Sequence, residues 1–515
     1  MNNGKICVSV CAETAEEFIE NIRRAEEFAD VIELRFDCLE KQEFETSLSK
    51  ILAQEYKKPL LITFRPKEQG GKRELTLRER IKFWEFLFYQ NKHKNLYVDF
   101  EFDLHIIFNL KSTKTIFSFH DFSGDTDNLT ANYNIYQTLT SADILKFAVQ
   151  TDDIADSLEV WALLEKAESD NKQIVPIAMG EAGKWTRILG LAFGAPLTYA
   201  ALDAGRETAP GQITAREIME VYRVKELNKN TEIYGVVGNP VSHSLSPQMH
   251  NEAFKFHDLN AVYIPFEVKN LDEFIKRMVR KESREINWNI KGFSVTIPHK
   301  QSIIKHLDAI DETALKIGAV NTVKIENGKL YGFNTDTNGF IEPLKTAYGD
   351  LKNVKVAILG SGGAARAAIY ALKNEGAIVT IFARNLEKAE SLAKEFEIEL
   401  KELPKTGNQT SKADFNHFDI VVNATPLGTK GALENETPLL AEQMENVKLV
   451  YDLVYNPFET KFIGEARKAF VPTIGGLAML VAQGMKQFEI WTGKTAPMRE
   501  MSAAALRKLK QTRIT

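Results

Sequence analysis

The chain has 515 residues, of which 44% are hydrophobic and 26% are charged. This length predicts about three to four domains, and the composition excludes a disordered, collagen-like or low-complexity protein. The 65 basic and 70 acidic residues give a net charge of −5, so there is no electrostatic case for nucleic-acid binding.

The apolar runs predict neither a membrane segment nor a secretion signal. The longest uncharged apolar run, residues 188–202, is shorter than the about 20 residues that a spanning helix needs. Glu13, Glu16 and Glu17 follow a brief apolar stretch near the N-terminus, so we expect no signal peptide.

The cysteines predict neither a metal site nor a disulfide framework. Cys7, Cys11 and Cys38 are odd in number and lack the spacing of a four-ligand metal site. We therefore expect no metal and reduced thiols, in a cytoplasmic enzyme.

The first 222 residues predict a (β/α)8 TIM barrel, because short apolar runs alternate with segments of helical periodicity. The eight runs are residues 6–10, 31–36, 60–64, 96–100, 115–119, 144–149, 174–178 and 197–202, and helical segments include 15–28, 77–89, 154–167 and 215–227. Eight such strands favour a closed barrel, and their continuously apolar character is typical of parallel strands covered by helices.

Lys146 and His120 are the candidate catalytic residues of this barrel. Lys146 lies inside an apolar strand, where desolvation favours a nucleophilic amine suited to Schiff-base formation. His120 ends the preceding strand and is placed to shuttle a proton. A lysine at the barrel rim and a histidine capping a strand explain the pattern equally well.

The second half predicts two more α/β domains. A polar stretch, residues 225–231, predicts a linker between the barrel of residues 1–224 and a domain over 232–336. A Rossmann-type nucleotide domain is expected over 337–474, and the helical residues 475–515 are expected to return to the domain at 232–336.

A glycine-rich turn opens the nucleotide domain. Residues 360–365 (GSGGAA) follow a predicted buried strand and begin a helix, as a pyrophosphate-binding turn requires. The next strand ends in Arg384, which favours the 2′-phosphate of NADP over the 2′-hydroxyl of NAD. A solvated surface arginine is the alternative.

The barrel motifs together resemble type I 3-dehydroquinate dehydratase. The segments are 33–37 (ELRFD), 63–65 (TFR), 118–122 (SFHDF), Lys146 and 209–212 (APGQ), in the family's order. The resemblance implies an imine-forming Lys146 and a general acid/base His120. It implies that substrate is surrounded by Glu33, Arg35, Arg65, Arg187, Thr208 and Gln212, with Arg187 the candidate for the substrate carboxylate.

One position departs from that family. The family places a glutamate directly before the Gly70–Gly71 pair, where it assists the histidine, but this chain has Gln69 there. Either Glu68 reaches in from a shifted loop, or the neutral amide of Gln69 orients His120. An amide cannot stabilise an imidazolium by charge, so a weaker or pH-shifted dehydratase is expected.

The second half resembles shikimate dehydrogenase over residues 233–493. A Ser-x-Ser beside a proline, within 238–247 (GNPVSHSLSP), is by itself better explained as a helix cap. The resemblance is carried by that segment with 295–300 (VTIPHK), 318–322 (GAVNT), 334–336 (NTD), 423–428 (NATPLG) and 476–483 (GLAMLVAQ).

This second resemblance implies a catalytic pair, Lys300 and Asp336. It implies substrate contacts from Ser244, Ser246, Thr296, Asn321, Tyr455 and Gln483. It also implies a cofactor path lined by Gly360, Gly362, Gly363, Ala364, Arg384, Thr425, Gly475 and Met479.

The two resemblances predict consecutive reactions of the shikimate pathway in one chain. We expect dehydration of 3-dehydroquinate to 3-dehydroshikimate, followed by reduction to shikimate with NADPH. We expect a monomer rather than an oligomer, and a protein that binds neither nucleic acid nor membrane. Two alternatives remain, an aldolase-like lyase fused to an unrelated NADP reductase and a barrel that has lost catalysis and acts as a scaffold.

Overall fold

The computed structural model describes residues 2–41, 44–90, 96–104, 113–139, 142–403 and 415–511. They fall into two compact units, Met1–Ser244 with Asn260–Ile290, and Leu245–Leu259 with Lys291–Thr515. No helix in these ranges is both long enough and apolar enough to cross a membrane.

The secondary structure alternates between strands and helices along the chain. The strands are β1 (Lys5–Val10), β2 (Val31–Arg35), β3 (Leu60–Thr63), β4 (Leu96–Glu101), β5 (Lys114–Asp121), β6 (Ile144–Gln150), β7 (Ile174–Met179), β8 (Leu197–Ala201), β9 (Ile213–Thr214), β10 (Glu232–Gly238), β11 (Ala261–Glu267), β12 (Asn289–Val295), β13 (Ala309–Ile310), β14 (Thr322–Glu326), β15 (Lys329–Phe333), β16 (Lys355–Leu359), β17 (Ile378–Ala383), β18 (Glu399–Glu402), β19 (Ile420–Asn423), β20 (Leu449–Asp452) and β21 (Thr473–Ile474). The helices are α1 (Ala15–Ala25), α2 (Phe44–Leu52), α3 (Leu77–Gln90), α4 (Leu129–Leu139), α5 (Ser157–Ser169), α6 (Lys184–Leu189), α7 (Ala215–Glu220), α8 (Ser246–Phe256), α9 (Leu271–Phe274), α10 (Glu312–Ile317), α11 (Asp336–Tyr348), α12 (Gly363–Asn374), α13 (Leu386–Phe396), α14 (Lys461–Lys468), α15 (Gly476–Thr492) and α16 (Met498–Gln511).

The first unit contains a curled, all-parallel sheet of nine strands in the order β7-β6-β5-β4-β3-β2-β1-β8-β9. Strands β1 to β8 are the eight predicted apolar runs, with ends that differ by one or two residues. The predicted α/β fold with a barrel-type N-terminal sheet is confirmed. Within the described part of the chain no ladder joins β7 to β8, so β7 and β9 are the edges of the sheet.

The interior of this sheet is filled by every second side chain of the strands. One cluster of buried residues takes members from all eight barrel strands: Cys7, Val31, Leu61, Tyr97, Ile116, Ile144, Ala148, Val175, Ile177, Met179, Leu197 and Tyr199. Because side chains alternate between the two faces of a strand, residues two and four positions further along point the same way. This alternation places polar residues near the carboxyl ends of the strands above the apolar layer.

The first unit also contains β10, β11 and α9, which lie beyond the predicted linker. β10 and β11 pair in parallel over their whole length. Backbone amides at Lys269 and Asn270, just before α9, both donate to the Asp153 carboxylate in the loop after β6, at 2.7 and 3.0 Å. This segment is therefore built into the same compact unit as the barrel.

The second unit contains two groups of strands. β12 and β15 are both antiparallel to β14, and β13 pairs in parallel with β15. A separate parallel sheet has the order β18-β17-β16-β19-β20-β21, with α12 following β16. This order reverses at β16, which is the Rossmann-type arrangement predicted for this half.

Two expectations differ from the structure. Cys11 and Cys38 form a disulfide with a Cα–Cα distance of 5.5 Å, so the expectation of reduced thiols is wrong for this pair. Their 27-residue separation does not reveal the pairing of β1 with β2, which brings the ends of these strands together. The helix expected over 215–227 ends at Glu220, and Arg223 adopts a φ of 50°, which a helix cannot contain.

Candidate active sites

A cavity opens at the carboxyl ends of the barrel strands. Its lining includes all eight barrel residues predicted to act on substrate, namely Glu33, Arg35, Arg65, His120, Lys146, Arg187, Thr208 and Gln212. This is the end of a barrel where catalytic residues of such folds lie.

Lys146 lies near the floor of the cavity. Its Nζ is 3.2 Å from Asp99 Oδ2 and 4.1 Å from the centre of the Tyr199 ring. Burial alone raises the pKa of Asp99, but the charges of Arg65 and Lys146 outweigh this and lower it, with help from the Ser118 hydroxyl. The Asp99 carboxylate thus holds the amine in place.

Arg65 connects the acidic residues of β4 with His120. Its Nη2 donates to Asp99 Oδ2 at 2.7 Å, and its Nη1 lies 3.2 Å from Glu101 Oε1 and 3.4 Å from His120 Nδ1. Burial, followed by the charges of Arg65, Lys146 and Arg35, lowers the pKa of His120 well below its usual range. The ring is therefore neutral, which is the state that a general base requires.

Glu33 and Arg35 on β2 are each held by their own partners. Arg35 makes a two-pronged contact with Asp37, both bonds being 2.9 Å. Glu33 accepts hydrogen bonds from the hydroxyls of Ser9 and Thr63, the latter at 2.9 Å. Both side chains are thus fixed in orientation.

Arg187 differs from the other two cavity arginines. It is buried, its Nη2 donates to the carbonyl of Pro210 at 3.2 Å, and its Nε has no hydrogen-bond partner. Among the described residues no acidic side chain forms an ion pair with it. Burial lowers the pKa of Arg187 to about 10. A buried guanidinium without a counter-ion is suited to an anionic group of a ligand.

The loop before Gly70 and Gly71, where a glutamine replaces the glutamate expected from the resemblance, places Gln69 and not Glu68 at the cavity. Gln69 lines the cavity and its Oε1 accepts the backbone N–H of His120 at 3.2 Å, whereas Glu68 is exposed. A Cβ on Gly71 would come within 1.9 Å of the Arg65 carbonyl, so the tight turn requires glycine there. On the opposite side Gln212 Oε1 accepts the backbone N–H of Thr208 at 2.8 Å.

The second unit contains a lysine–carboxylate pair in which the carboxylate is buried and the lysine is half-buried. Lys300 Nζ is 2.5 Å from Asp336 Oδ2, and Asn321 Nδ2 donates to the other oxygen, Oδ1, at 2.8 Å. Asp336 is the first residue of α11, where the helix dipole favours a negative charge. Asn321 comes directly before β14, so the register of that strand places the amide at the carboxylate.

A neutral network fixes Asn321 in turn. Thr322 Oγ1 and the backbone N–H of Thr335 both donate to Asn321 Oδ1 at 2.8 Å. Gln487 on α15 donates to the Asn321 carbonyl at 3.3 Å and to Thr322 Oγ1 at 3.1 Å. The pair therefore rests on amides and hydroxyls rather than on further charges.

The other predicted substrate residues of this half lie at several element ends. Ser246 begins α8 and is buried, Thr296 follows β12 and is half-buried, and Tyr455 follows β20. Burial raises the pKa of Tyr455. Gln483 lies on α15 and donates to the Leu480 carbonyl at 2.9 Å rather than to the Lys300–Asp336 pair. Ser244 ends the Met1–Ser244 segment of the first unit.

The glycine-rich turn after β16 fits a pyrophosphate. Gly360 has a φ of 111°, and a Cβ there would lie 2.8 Å from the Ala424 carbonyl oxygen. Gly362 caps α12 and Gly363 begins it, and beyond their chain neighbours and the helix backbone no described residue lies within 4 Å of a Cβ on either one. Ala364 follows within the first turn. Open space before a helix N-terminus is where a phosphate binds.

The remaining predicted cofactor residues lie after neighbouring strands of the same sheet or on α15. Arg384 is exposed directly after β17, and Thr425 lies two residues after β19, where its hydroxyl donates to Asn423 Oδ1 at 2.6 Å. Gly475 caps α15, and Met479 is buried in that helix. These residues fit a dinucleotide that extends over the carboxyl ends of the strands.

Four family descriptions match consecutive parts of the chain. Residues 6–229 match type I 3-dehydroquinase, and residues 236–323 match the shikimate dehydrogenase substrate binding domain. Residues 342–453 match shikimate / quinate 5-dehydrogenase, and residues 476–506 match the shikimate 5′-dehydrogenase C-terminal domain.

A relative from Arabidopsis thaliana spans both halves. This bifunctional 3-dehydroquinate dehydratase/shikimate dehydrogenase, named as chloroplastic, is 33% identical over 530 residues, covering 96% of this chain and 83% of the relative. The chain belongs to this bifunctional dehydratase–dehydrogenase family. The prediction of a lyase and an oxidoreductase of the shikimate pathway in one chain is thereby confirmed.

The dehydrogenase half also matches separate enzymes. The NADP+ shikimate dehydrogenase of Methanococcus aeolicus is 43% identical over 268 residues, covering 52% of this chain and 94% of that protein. A crystal structure of a shikimate dehydrogenase in complex with NADP+ has 40% identity and a TM-score of 0.50, covering 55% of this chain and 97% of that one. The prediction of NADP(H) as the cofactor is confirmed by these relatives.

Several residues that hold the two sites were not predicted to have a role. In the dehydratase site they are Ser9, Asp37, Thr63 and Asp99, and in the dehydrogenase site Thr322, Thr335 and Gln487. The signal for the first group is the two-residue alternation of polar positions along each strand. For Gln487 it is the four-residue spacing from Gln483 on one helix.

Proposed function

We propose that Lys146 and His120 carry out the dehydration of 3-dehydroquinate. The observation that supports this most directly is that Lys146 is the one primary amine among the described residues that line the cavity. Its Nζ attacks the substrate carbonyl carbon, and loss of water leaves a C=N bond to the lysine. The resulting iminium acidifies the adjacent C–H bond.

His120 then takes the proton from that carbon, since its ring is neutral before the reaction. The electron pair of the broken C–H bond forms the new C=C bond as the hydroxyl on the next carbon leaves. The proton held by His120 passes to that hydroxyl, which departs as water. A second water hydrolyses the C=N bond, which releases 3-dehydroshikimate and regenerates the amine.

Arg187 binds the substrate carboxylate in this proposal. Arg35 and Arg65 are already paired with Asp37, Asp99 and Glu101, whereas Arg187 has an unused Nε and no counter-ion among the described residues. A carboxylate would supply the missing charge through a two-pronged hydrogen bond. Arg187→Gln should raise the KM for 3-dehydroquinate about 10- to 100-fold, as loss of a buried charge contact of about 1.5–3 kcal/mol implies.

In the dehydrogenase site, Lys300 delivers a proton to the substrate carbonyl oxygen. The ammonium is held 2.5 Å from Asp336, which Asn321 orients from its other oxygen. Bound NADPH supplies the hydride that reduces the carbonyl carbon. Lys300 neutralises the oxygen as negative charge develops on it, and Asp336 keeps the ammonium directed at that position.

The remaining predicted residues bind the two ligands of this site. Ser244 and Ser246 donate to the shikimate carboxylate, and Thr296, Asn321, Tyr455 and Gln483 bind the ring hydroxyls and the carboxylate. The turn at Gly360, Gly362, Gly363 and Ala364 holds the pyrophosphate, Arg384 pairs with the 2′-phosphate, and Thr425, Gly475 and Met479 line the rest of the cofactor path.

Trapping with borohydride tests the dehydratase assignment. The full chain incubated with 3-dehydroquinate and borohydride should gain a reduced, stable adduct on Lys146, located by mass spectrometry of peptides. A barrel that acts only as a scaffold would give no adduct. A coupled assay with 3-dehydroquinate and NADPH should show NADPH oxidation that Lys146→Ala abolishes and added 3-dehydroshikimate restores.

We further propose that the protein works as a cytoplasmic monomer. The residues assigned to both reactions come from a single chain, and the reduction consumes NADPH of the cell interior. Sedimentation analysis of the purified protein tests the monomer, and cell fractionation tests the location. The name of the Arabidopsis relative places that protein in the chloroplast.

A further inference from the structure

Helix α6, which carries Arg187, connects two barrel strands that do not pair with each other within the described chain. These two strands are β7 and β8. The helix has six residues, too few to be stable without tertiary packing. The direction of Arg187 is therefore set by what packs around α6.

The two faces of α6 contact different parts of the structure. Trp185 and Arg187 are two residues apart, which places them about 200° apart around the helix axis. Arg187 faces the cavity, whereas Trp185 is fully buried on the other side, with its indole N–H donating to Ser157 Oγ at 2.8 Å. A shift of Trp185 thus moves Arg187 relative to the cavity.

Trp185 packs against residues from the dehydrogenase half of the chain. Its ring centre is 5.6 Å from that of Trp288, at an interplanar angle of 60°. α6 also packs against β11, whose Phe266 ring lies 5.7 Å from Trp288. All of these residues belong to the same compact unit as the barrel.

Trp288 is itself held rigidly. It is 2% exposed, and its indole N–H donates to the Met278 carbonyl at 2.8 Å. Aromatic pairs with this spacing stabilise the structure beyond what their buried apolar area contributes. Contacts therefore lead from Met278 through Trp288 to Trp185, which shares helix α6 with Arg187.

We infer that Trp288 is a positioning residue of the dehydratase, which acts through Trp185 and α6 on Arg187. The dehydrogenase half would then complete the substrate site of the barrel instead of being only joined to it. This inference rests on the proposed role of Arg187 as the carboxylate ligand. Displacement of a binding group by about 1 Å from a remote substitution is enough to change catalysis strongly.

The test is a double-mutant cycle in the full chain. Trp288→Leu should raise the KM for 3-dehydroquinate about 5- to 20-fold while kcat changes less than about twofold. In the Arg187→Gln background Trp288→Leu should raise KM no further, because the group on which it acts is gone. Multiplying effects in the double variant, or an unchanged KM in Trp288→Leu alone, would overturn the inference.

Trp491→Leu is the matched control. Trp491 is a buried tryptophan of the dehydrogenase half whose indole N–H also donates to a backbone carbonyl, that of Val323 at 3.0 Å, but it belongs to the second unit. It should leave the dehydratase KM within twofold of wild type, and an equal rise in both variants would overturn a specific role for Trp288.

Trp288→Phe and the KM of Arg187→Gln by itself distinguish failure of the inference from failure of folding or of the proposed role of Arg187. Trp288→Phe retains an aromatic ring, so if Trp288→Leu does not fold, the same cycle is run with Trp288→Phe, where about a two- to fivefold rise in KM is expected. An unchanged KM for Arg187→Gln overturns the proposed role of Arg187. A raised KM for Arg187→Gln beside a wild-type KM for both Trp288 variants overturns only the inference.

Discussion

The two active sites of this chain use charge in opposite ways. The dehydratase cavity gathers Arg35, Arg65 and Lys146 with Asp37, Asp99 and Glu101 in a buried, mutually compensated array. In the dehydrogenase site the Lys300–Asp336 ion pair is held in place by an amide and hydroxyls of the described residues.

The difference follows from which group performs the chemistry. In the proposed mechanism the barrel forms and breaks a covalent bond at its own lysine and moves protons with its own histidine. Burial, together with the charges of this array, lowers the pKa of the histidine. In the dehydrogenase the hydride comes from the cofactor, so the chain needs only one oriented proton donor. Buried charge is thus concentrated where the protein itself reacts.

Removal of Lys146 should produce the largest difference between the rates of the two reactions. Lys146→Ala should lower dehydration at least about 10⁴-fold, because no other primary amine among the described residues lines the cavity. Reduction of added 3-dehydroshikimate should stay near wild type. Lys172→Ala, an exposed lysine just before β7, is the control. Substantial dehydration by Lys146→Ala would show that the two sites do not differ in this way.

The reciprocal change is Asp336→Asn. It removes the carboxylate that directs Lys300, so kcat for 3-dehydroshikimate reduction should fall about 10²- to 10⁴-fold. The dehydratase rate with 3-dehydroquinate should not change. Asp350→Asn, at an exposed carboxylate after α11, should affect neither reaction. If reduction by Asp336→Asn remains near wild type, the ion pair is not the proton source.

The residue predicted to bind the 2′-phosphate of the cofactor, Arg384, carries an exposed charge. Arg384→Ala should raise the KM for NADPH about 10- to 100-fold and leave that for 3-dehydroshikimate nearly constant, through loss of a charge-assisted contact of about 1.5–3 kcal/mol. Lys388→Ala, an exposed cation one turn into α13, is the control. Equal NADPH affinity in both variants would identify Arg384 as a solvated surface residue.

The smallest effect is expected from a change of charge beside His120 in the barrel. Gln69→Glu adds a carboxylate near His120, and this negative charge should raise the low pKa of that histidine. Because the neutral ring acts as the base, the acidic limb of the dehydratase pH–rate profile should move to higher pH. Glu68→Ala should leave the profile unchanged, since Glu68 is exposed. The opposite pattern would show that Glu68, not Gln69, serves His120.

Chain order and residue pattern predicted most of the architecture. The eight apolar runs became β1 to β8, and the glycine-rich turn began α12, because both signals are local. Every predicted barrel site residue lines one cavity, since the carboxyl ends of parallel strands meet at one end of a barrel. The roles of these residues remain predictions that the variants above test.

The partner of each charged group could not be predicted from the sequence. Arg35, Arg65 and Arg187 are alike in sequence, yet two are paired with carboxylates and the third is not. Cys11 and Cys38 form a disulfide only because β1 and β2 are neighbours. Trp288, more than a hundred residues from Trp185, packs against it because β11 packs against α6. Local periodicity determines elements and motifs, whereas long-range packing determines which side chains meet, and so which arginine is available to a substrate.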